Sequence, residues 1–217
     1  MMHRLAAAVA LVAVTVPEPE LPAIAHVING RTEIVTYRGV PALKLIPSPT
    51  SEGKDEDMLA ILDAPDFRDG SIQLDVSGAP RPGTSEGARG FIGISFRTGP
   101  KGEWSEIFYL RPTNGRADDQ LRRNHAVQYA SHPDYPWYRL RKEHPGVYES
   151  YADMEAGAWT KMRVEVSGAT ARLYVNGAPQ PCLIVNDLKH GARAGSIGLW
   201  AHVETDAYFG PVTVQRR

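Results

Sequence analysis

Residues 159–177 read WTKMRVEVSGATARLYVNG, and their period of two decides the fold class. Successive side chains of an extended strand point to opposite faces, so Met162, Val164 and Val166 fall on one face and Arg163 and Glu165 on the other. After a break the arrangement returns, with Leu173 and Val175 opposite Arg172 and Tyr174. Ser167-Gly168 predicts a tight hairpin turn between the two runs, and Asn176-Gly177 is a second turn signal.

Outward from this hairpin, strands are expected at Glu33–Tyr37, Ala42–Ile46, Leu59–Leu62, Ser71–Ser77, Gly90–Arg97, Glu106–Arg111, His125–Tyr129, Trp159–Ser167, Ala169–Asn176, Cys182–Val185, Ser196–Ala201 and Tyr208–Gln215. Almost nothing has helical spacing. Many short strands with 20 Gly and 17 Pro describe an all-β chain, a two-sheet antiparallel sandwich or jelly roll. With no internal repeat or low-complexity linker, residues 26–217 read as one domain. The polar loops Ser48–Asp57 and Ala79–Arg89 are expected to be mobile, and Pro112–Asn124 and Ala130–Met154 are the longest stretches without a strand. Long ordered loops usually carry function.

Composition narrows the partners. The 217 residues are 42% hydrophobic and 23% charged, which excludes wholesale disorder. A chain of this size buries about 70% of its unfolded surface. Lys plus Arg number 24 against 25 Asp plus Glu, so the basic excess that duplex nucleic acid needs is missing. The single cysteine, Cys182, excludes an intrachain disulfide and a Cys-based zinc cluster; it reads as a small buried hydrophobe.

Residues 1–25 stand apart. Met1 to Arg4 form a short basic region, Leu5–Val16 is an apolar run, and Ala23 and Ala25 have the A-x-A spacing of a signal-peptidase site. The run is shorter than the roughly 20 residues a membrane-spanning helix needs. The expectation is a signal peptide removed after Ala25 and an exported, secreted or periplasmic chain that does not span a membrane. A buried strand or an uncleaved anchor is the alternative reading of the same run.

Chemistry concentrates between Trp104 and Tyr151, which holds half of the chain's aromatic residues, three of its seven histidines and six arginines. Rings stack on the C–H faces of sugars, and planar polar side chains fix hydroxyls and carboxylates. Tyr135, Trp137, Arg139 and Arg141 therefore read as saccharide-binding loop residues; a lid packed by its own aromatics is the alternative. Strand periodicity adds four more. With Ile92, Ile94 and Phe96 inward, Arg97 turns outward; with Phe108 and Leu110 inward, Tyr109 and Arg111 turn outward; with Val127 inward, Gln128 is exposed. Candidates for acid–base work are His125, His132, Tyr109, Tyr129, Glu106 and Glu149. Glu103 and Glu106 are three apart, on opposite faces of a straight strand, which does not suit paired-carboxylate hydrolysis. No established metal-ligand spacing is found. Structural calcium is compatible with the carboxylates at Asp118-Asp119 or Glu52–Asp57.

The segments FRDGSIQLDV, RGFIGISFR, SEIFYLRP, AWTKMRVEV, ATARLYVNG and GSIGLWAHVETDAYFGPVTV, spread over Asp66 to Arg217, resemble the concanavalin A-like lectin/glucanase jelly roll. More narrowly they are similar to exported bacterial proteins of the laminin-G-like and 3-keto-disaccharide hydrolase group. The resemblance implies two antiparallel sheets with a concave face that holds glycan in many members. In polysaccharide lyases of this fold, Arg or an amide neutralises a uronate carboxylate and Tyr or His acts as base. Arg111, Gln128, His125 or His132, and Tyr109 or Tyr129 have the matching chemical types. The chain departs from the hydrolase group's G-Y-E-x-Q-like segment and from the lyases' Q-[IV]-H and R-x-E-x-R motifs.

The expected function is that of a secreted carbohydrate-active domain binding an oligo- or polysaccharide on the concave sheet and cleaving a keto- or uronic-sugar glycoside as hydrolase or lyase. The alternatives are a non-catalytic lectin-like or adhesive module, and a protein-interaction sandwich with a filled face. Oligomeric state is not readable from the sequence.

Overall fold

The computed structural model describes residues 20–217. In chain order the strands are β1 (Ile24–Ile28), β2 (Gly30–Tyr37), β3 (Val40–Pro47), β4 (Asp57–Leu62), β5 (Gly70–Pro80), β6 (Ile92–Thr98) and β7 (Ser105–Leu110). They continue with β8 (Val127–His132), β9 (Glu149–Ser150), β10 (Thr160–Ser167), β11 (Thr170–Val175), β12 (Leu183–Val185), β13 (Ser196–His202) and β14 (Thr205–Arg216). Two short helices, α1 (Gln120–Asn124) and α2 (Trp137–Glu143), flank β8 in sequence.

The strands form two seven-stranded antiparallel sheets, β1-β4-β13-β6-β7-β8-β9 and β12-β11-β10-β5-β14-β3-β2. The chain is a jelly-roll sandwich. The expected hairpin pairs Met162 with Val175 and Val164 with Leu173, and its turn falls on Gly168-Ala169 between paired Ser167 and Thr170. Asn176 and Gly177 both have positive φ, as a type I′ turn demands.

Inward-facing side chains of both sheets merge into one core, with Met58, Ile94, Phe108 and Leu199 from the first sheet and Leu45, Ile72, Met162 and Phe209 from the second. Truncating a ring such as Phe108 to Ala in a core of this kind costs about 3–5 kcal/mol. The outer faces differ. On the second sheet, alternation leaves Lys161 and Arg172 exposed. On the first, β6 and β7 are buried along their whole length, because a second apolar cluster of Leu59, Ile61, Ile107, Tyr109, Ala130 and Trp200 covers that face.

Local differences from the sequence reading have physical causes. The strand expected at His125–Tyr129 runs instead from Val127 to His132, because Asp119 accepts a hydrogen bond from the Arg122 backbone and caps α1, which ends on His125. The stretch 130–154 contains α2, with Leu140 buried, and β9. Most of the expected signal segment, residues 1–19, lies outside the described residues. Its expected cleavage point after Ala25 falls inside β1, where Ile24 pairs with Leu62. Among the described residues no helix is long and apolar enough to cross a membrane.

Candidate functional site

One register row crosses the whole first sheet on its outer side: Ile28, Leu59, Trp200, Gly93, Tyr109, Gln128 and Glu149 are paired in succession. The row passes from aliphatic through aromatic to charged. Gly93 sits at its centre because nothing larger fits; a Cβ there would come within 2.6 Å of the Tyr109 Cα. Over that gap the rings of Tyr109 and Trp200 meet at 4.8 Å, and Phe91 stands edge-on to Tyr109 at 6.1 Å.

Above the row three hollows of ≈ 610, ≈ 390 and ≈ 740 Å³ run end to end. The first two share Phe91 and Trp137, and the second and third share His125 and Arg141. α2 forms one wall: Trp137 is 42% exposed, stands T-shaped to Tyr138, and lies beside the guanidinium groups of Arg141 and Arg111 at 4.8 and 5.6 Å. The loop after β3 and the start of β4 form the opposite rim. There Asp57 reaches His132 at 3.3 Å and Asp55 reaches His202 at 2.9 Å.

Arg111 is held from below. Its terminal nitrogens donate to Gln128 Oε1, Tyr109 Oη and the His125 carbonyl oxygen at 2.9–3.2 Å. Gln128 Nε2 donates in turn to the carbonyl oxygens of Tyr129 and Tyr148. Burial pushes the Tyr109 phenol up to about 12, so near neutral pH it keeps its proton. Beside them Glu149 accepts from Arg141 at 2.6 Å and sits 3.2 Å from His125 Nε2. Burial lowers the His125 pKa, the nearby Arg141 and Arg111 lower it further, and Glu149 opposes them.

Of the residues singled out from sequence, His125, His132, Tyr109, Glu149, Arg111, Gln128, Trp137 and Arg141 lie together along this face. Five do not. Glu106 and Tyr129 share the inward parity of Phe108 and Val127, and Tyr129 donates to Glu106 at 2.6 Å between the sheets. Burial and the Glu106 charge push the Tyr129 phenol far up. Arg97 is fully buried at one end of the sandwich, bonded to the carbonyl oxygens of Arg68, Gly168 and Gly191 and to Asp69. A bulge that sets Phe96 and Arg97 against one residue of β13, with Arg97 at φ 50°, turns its side chain off the outer face. Tyr135 packs against the main core, and Arg139 covers its ring while pairing with Glu143.

Sequence reasoning did not name Trp200, His202, Phe91 or Arg89 as site residues, took Asp55 and Asp57 only as carboxylates suited to calcium, and counted Arg122 only within the arginine-rich stretch; all of these line the hollows. The first two were within reach, because the inward parity of Ile197, Leu199 and Ala201 puts Trp200 and His202 outward. Among the described residues no cluster of three or more His, Cys, Asp or Glu side chains has metal-binding geometry.

No family model and no curated protein matches the chain. Solved structures do. A carbohydrate-binding module, CBM66 from Bacillus subtilis, superposes with a TM-score of 0.61 at 14% identity over 89% of this chain and 96% of its own. The Ca2+-bound exoplasmic/lumenal domain of VIP36 gives 0.56 at 11% identity, covering 88% and 83%. A galectin-like protein of unknown function from Bacillus subtilis gives 0.52 at 12%, covering 91% and 98%. The fold is the concanavalin A-like lectin jelly roll. In this sandwich the outer face of the first sheet is bordered by loops and α2, which make it a groove.

Proposed function

We propose that this groove binds an oligo- or polysaccharide, and that the protein is an exported carbohydrate-binding domain. The observation that carries the reading is the register row with Trp200 and Tyr109 packed over Gly93 beside the half-exposed ring of Trp137. An exposed indole beside a floor of packed rings, bordered by Arg, His and carboxylate groups, matches the apolar faces and hydroxyl edges of a sugar. A carbohydrate-binding module with the same fold supports it. The test is a glycan-array screen of the protein with β1 intact. Retention of a saccharide, weakened by Trp137→Ala, is expected; an array without a single hit would overturn the reading.

A second reading, cleavage of a keto- or uronic-sugar glycoside by hydrolysis or elimination, is favoured by His–carboxylate pairs in the groove, among them His132–Asp57 and His125–Glu149. Each sets an imidazole beside a carboxylate that orients it, as a general base requires. If the groove turns substrate over, His125→Ala or His132→Ala abolishes turnover while leaving saccharide retention in place. Turnover unchanged in both variants would remove these residues from the chemistry.

A further inference from the structure

The middle hollow is lined by Arg89, Arg111, Arg122, Arg141 and His125. Glu149 serves Arg141 and His125. The other three guanidinium groups bond, among the described residues, to neutral oxygens: Arg111 to Gln128 Oε1, Tyr109 Oη and the His125 carbonyl, Arg122 to Asn114 Oδ1, Arg89 to the carbonyls of Glu86 and Ala88. Arg111 is only 5% exposed, so water does not solvate its charge freely. The groups also press on one another: burial and the neighbouring Arg122 lower the pKa of Arg89, and burial together with Arg141 and Arg89 lowers that of Arg111 against the opposing influence of Tyr109 and Glu149.

Three like charges gathered around ≈ 390 Å³ of open space, one of them buried with no carboxylate bonded to it among the described residues, are unfavourable in the empty protein. A surface arginine row kept for solubility would be splayed and hydrated. This one converges. Guanidinium forks match carboxylate and sulfate oxygens in bidentate geometry, and an oxyanion entering here relieves the repulsion as it binds. The hollow shares Phe91 and Trp137 with the aromatic hollow beside it, so a charged substituent held here leaves its sugar ring within reach of Trp137.

We propose that this hollow is an oxyanion subsite, in which Arg111 from below and Arg89 and Arg122 from the rim hold a carboxylate or sulfate ester of the bound saccharide. The inference rests on the groove holding a saccharide, and it narrows that saccharide to an acidic one.

The experiment is titration calorimetry on the full chain with four probes: an oligogalacturonate, its carboxyl-reduced counterpart, a sulfated galactan oligosaccharide and its desulfated counterpart. Arg89→Gln, Arg122→Gln and Trp137→Ala are measured alongside; all three side chains lie at the rim, and an unchanged melting temperature checks each fold. One charged probe is expected to bind at least about tenfold tighter than its neutral partner, and each Arg→Gln change to remove about tenfold from the charged probe alone. Whether the uronate or the sulfate pair shows the difference identifies the oxyanion. Equal binding of charged and neutral partners, or charged binding indifferent to both Arg→Gln changes, would overturn the subsite while leaving the groove reading intact. Absence of binding by all four probes would also overturn the subsite, while an array without a single hit is what overturns the groove reading itself.

Discussion

Both terminal nitrogens of Arg111 donate to the same atom, Oε1 of Gln128, at 3.2 Å. The two residues lie on adjacent strands of the first sheet or its extension, and Gln128 is fully buried beneath the guanidinium. Because the Gln128 amide also donates to two backbone carbonyls, its orientation is fixed, and with it the position of the charge at the base of the groove.

Gln128→Leu keeps the volume and removes both functions. It leaves Arg111 short of an acceptor and two carbonyl groups short of a donor, so a loss of about 1–3 kcal/mol is expected in denaturant unfolding. An unchanged unfolding midpoint would mean that Arg111 is held by other contacts.

Arg97→Met tests the opposite end of the sandwich. Removing a buried guanidinium that ties Arg68, Gly168, Gly191 and Asp69 together is expected to cost about 3 kcal/mol. Saccharide retention, measured on the same preparation below its melting temperature, should not change. Loss of binding with little loss of stability would put Arg97 back at the groove.

How much of this was legible follows from where each side chain's position is decided. The sandwich was readable because alternation such as Met162, Val164, Val166 is written into single strands. Tyr109, Arg111 and Gln128 could be placed on the outer face for the same reason. Arg97 could not, because a β-bulge inverts parity and leaves no mark in RGFIGISFR. Glu106 and Tyr129 were misplaced as site residues although their parity with Phe108 and Val127 already pointed inward. Asp55, Asp57, Arg89 and Arg122 reach the groove from loops, a strand end and a short helix far apart in sequence, and no local pattern encodes that meeting.

His125 gives a pH signature. Burial depresses its pKa below the ordinary histidine value of about 6.5, with Arg141 and Arg111 adding to the shift and Glu149 and Asp119 opposing it. The unfolded chain therefore takes up the proton first, and this residue's contribution makes stability fall as pH drops below about 6.5 toward the folded value. An NMR titration of the imidazole should show a midpoint under 6.5 in the folded protein. A midpoint at or above 6.5 would contradict the burial argument.

Trp137→Ala should weaken saccharide binding by about 1–2 kcal/mol, the scale of an aromatic contact, with little change in melting temperature because the ring is 42% exposed. A large fall in melting temperature would mark the ring as packing.

The central claim is that saccharide sits on the outer face of the first sheet, over Trp200 and against Trp137. The four tryptophan indole N–H signals read this directly. Trp137 and Trp200 line the groove, whereas Trp159 packs on Tyr37 and Trp104 lies beside Arg193. Titrating a bound oligosaccharide into isotope-labelled protein should shift the Trp137 and Trp200 signals and leave those of Trp104 and Trp159 in place. Shifts confined to Trp159 or Trp104 would move the binding surface elsewhere on the sandwich and contradict the account.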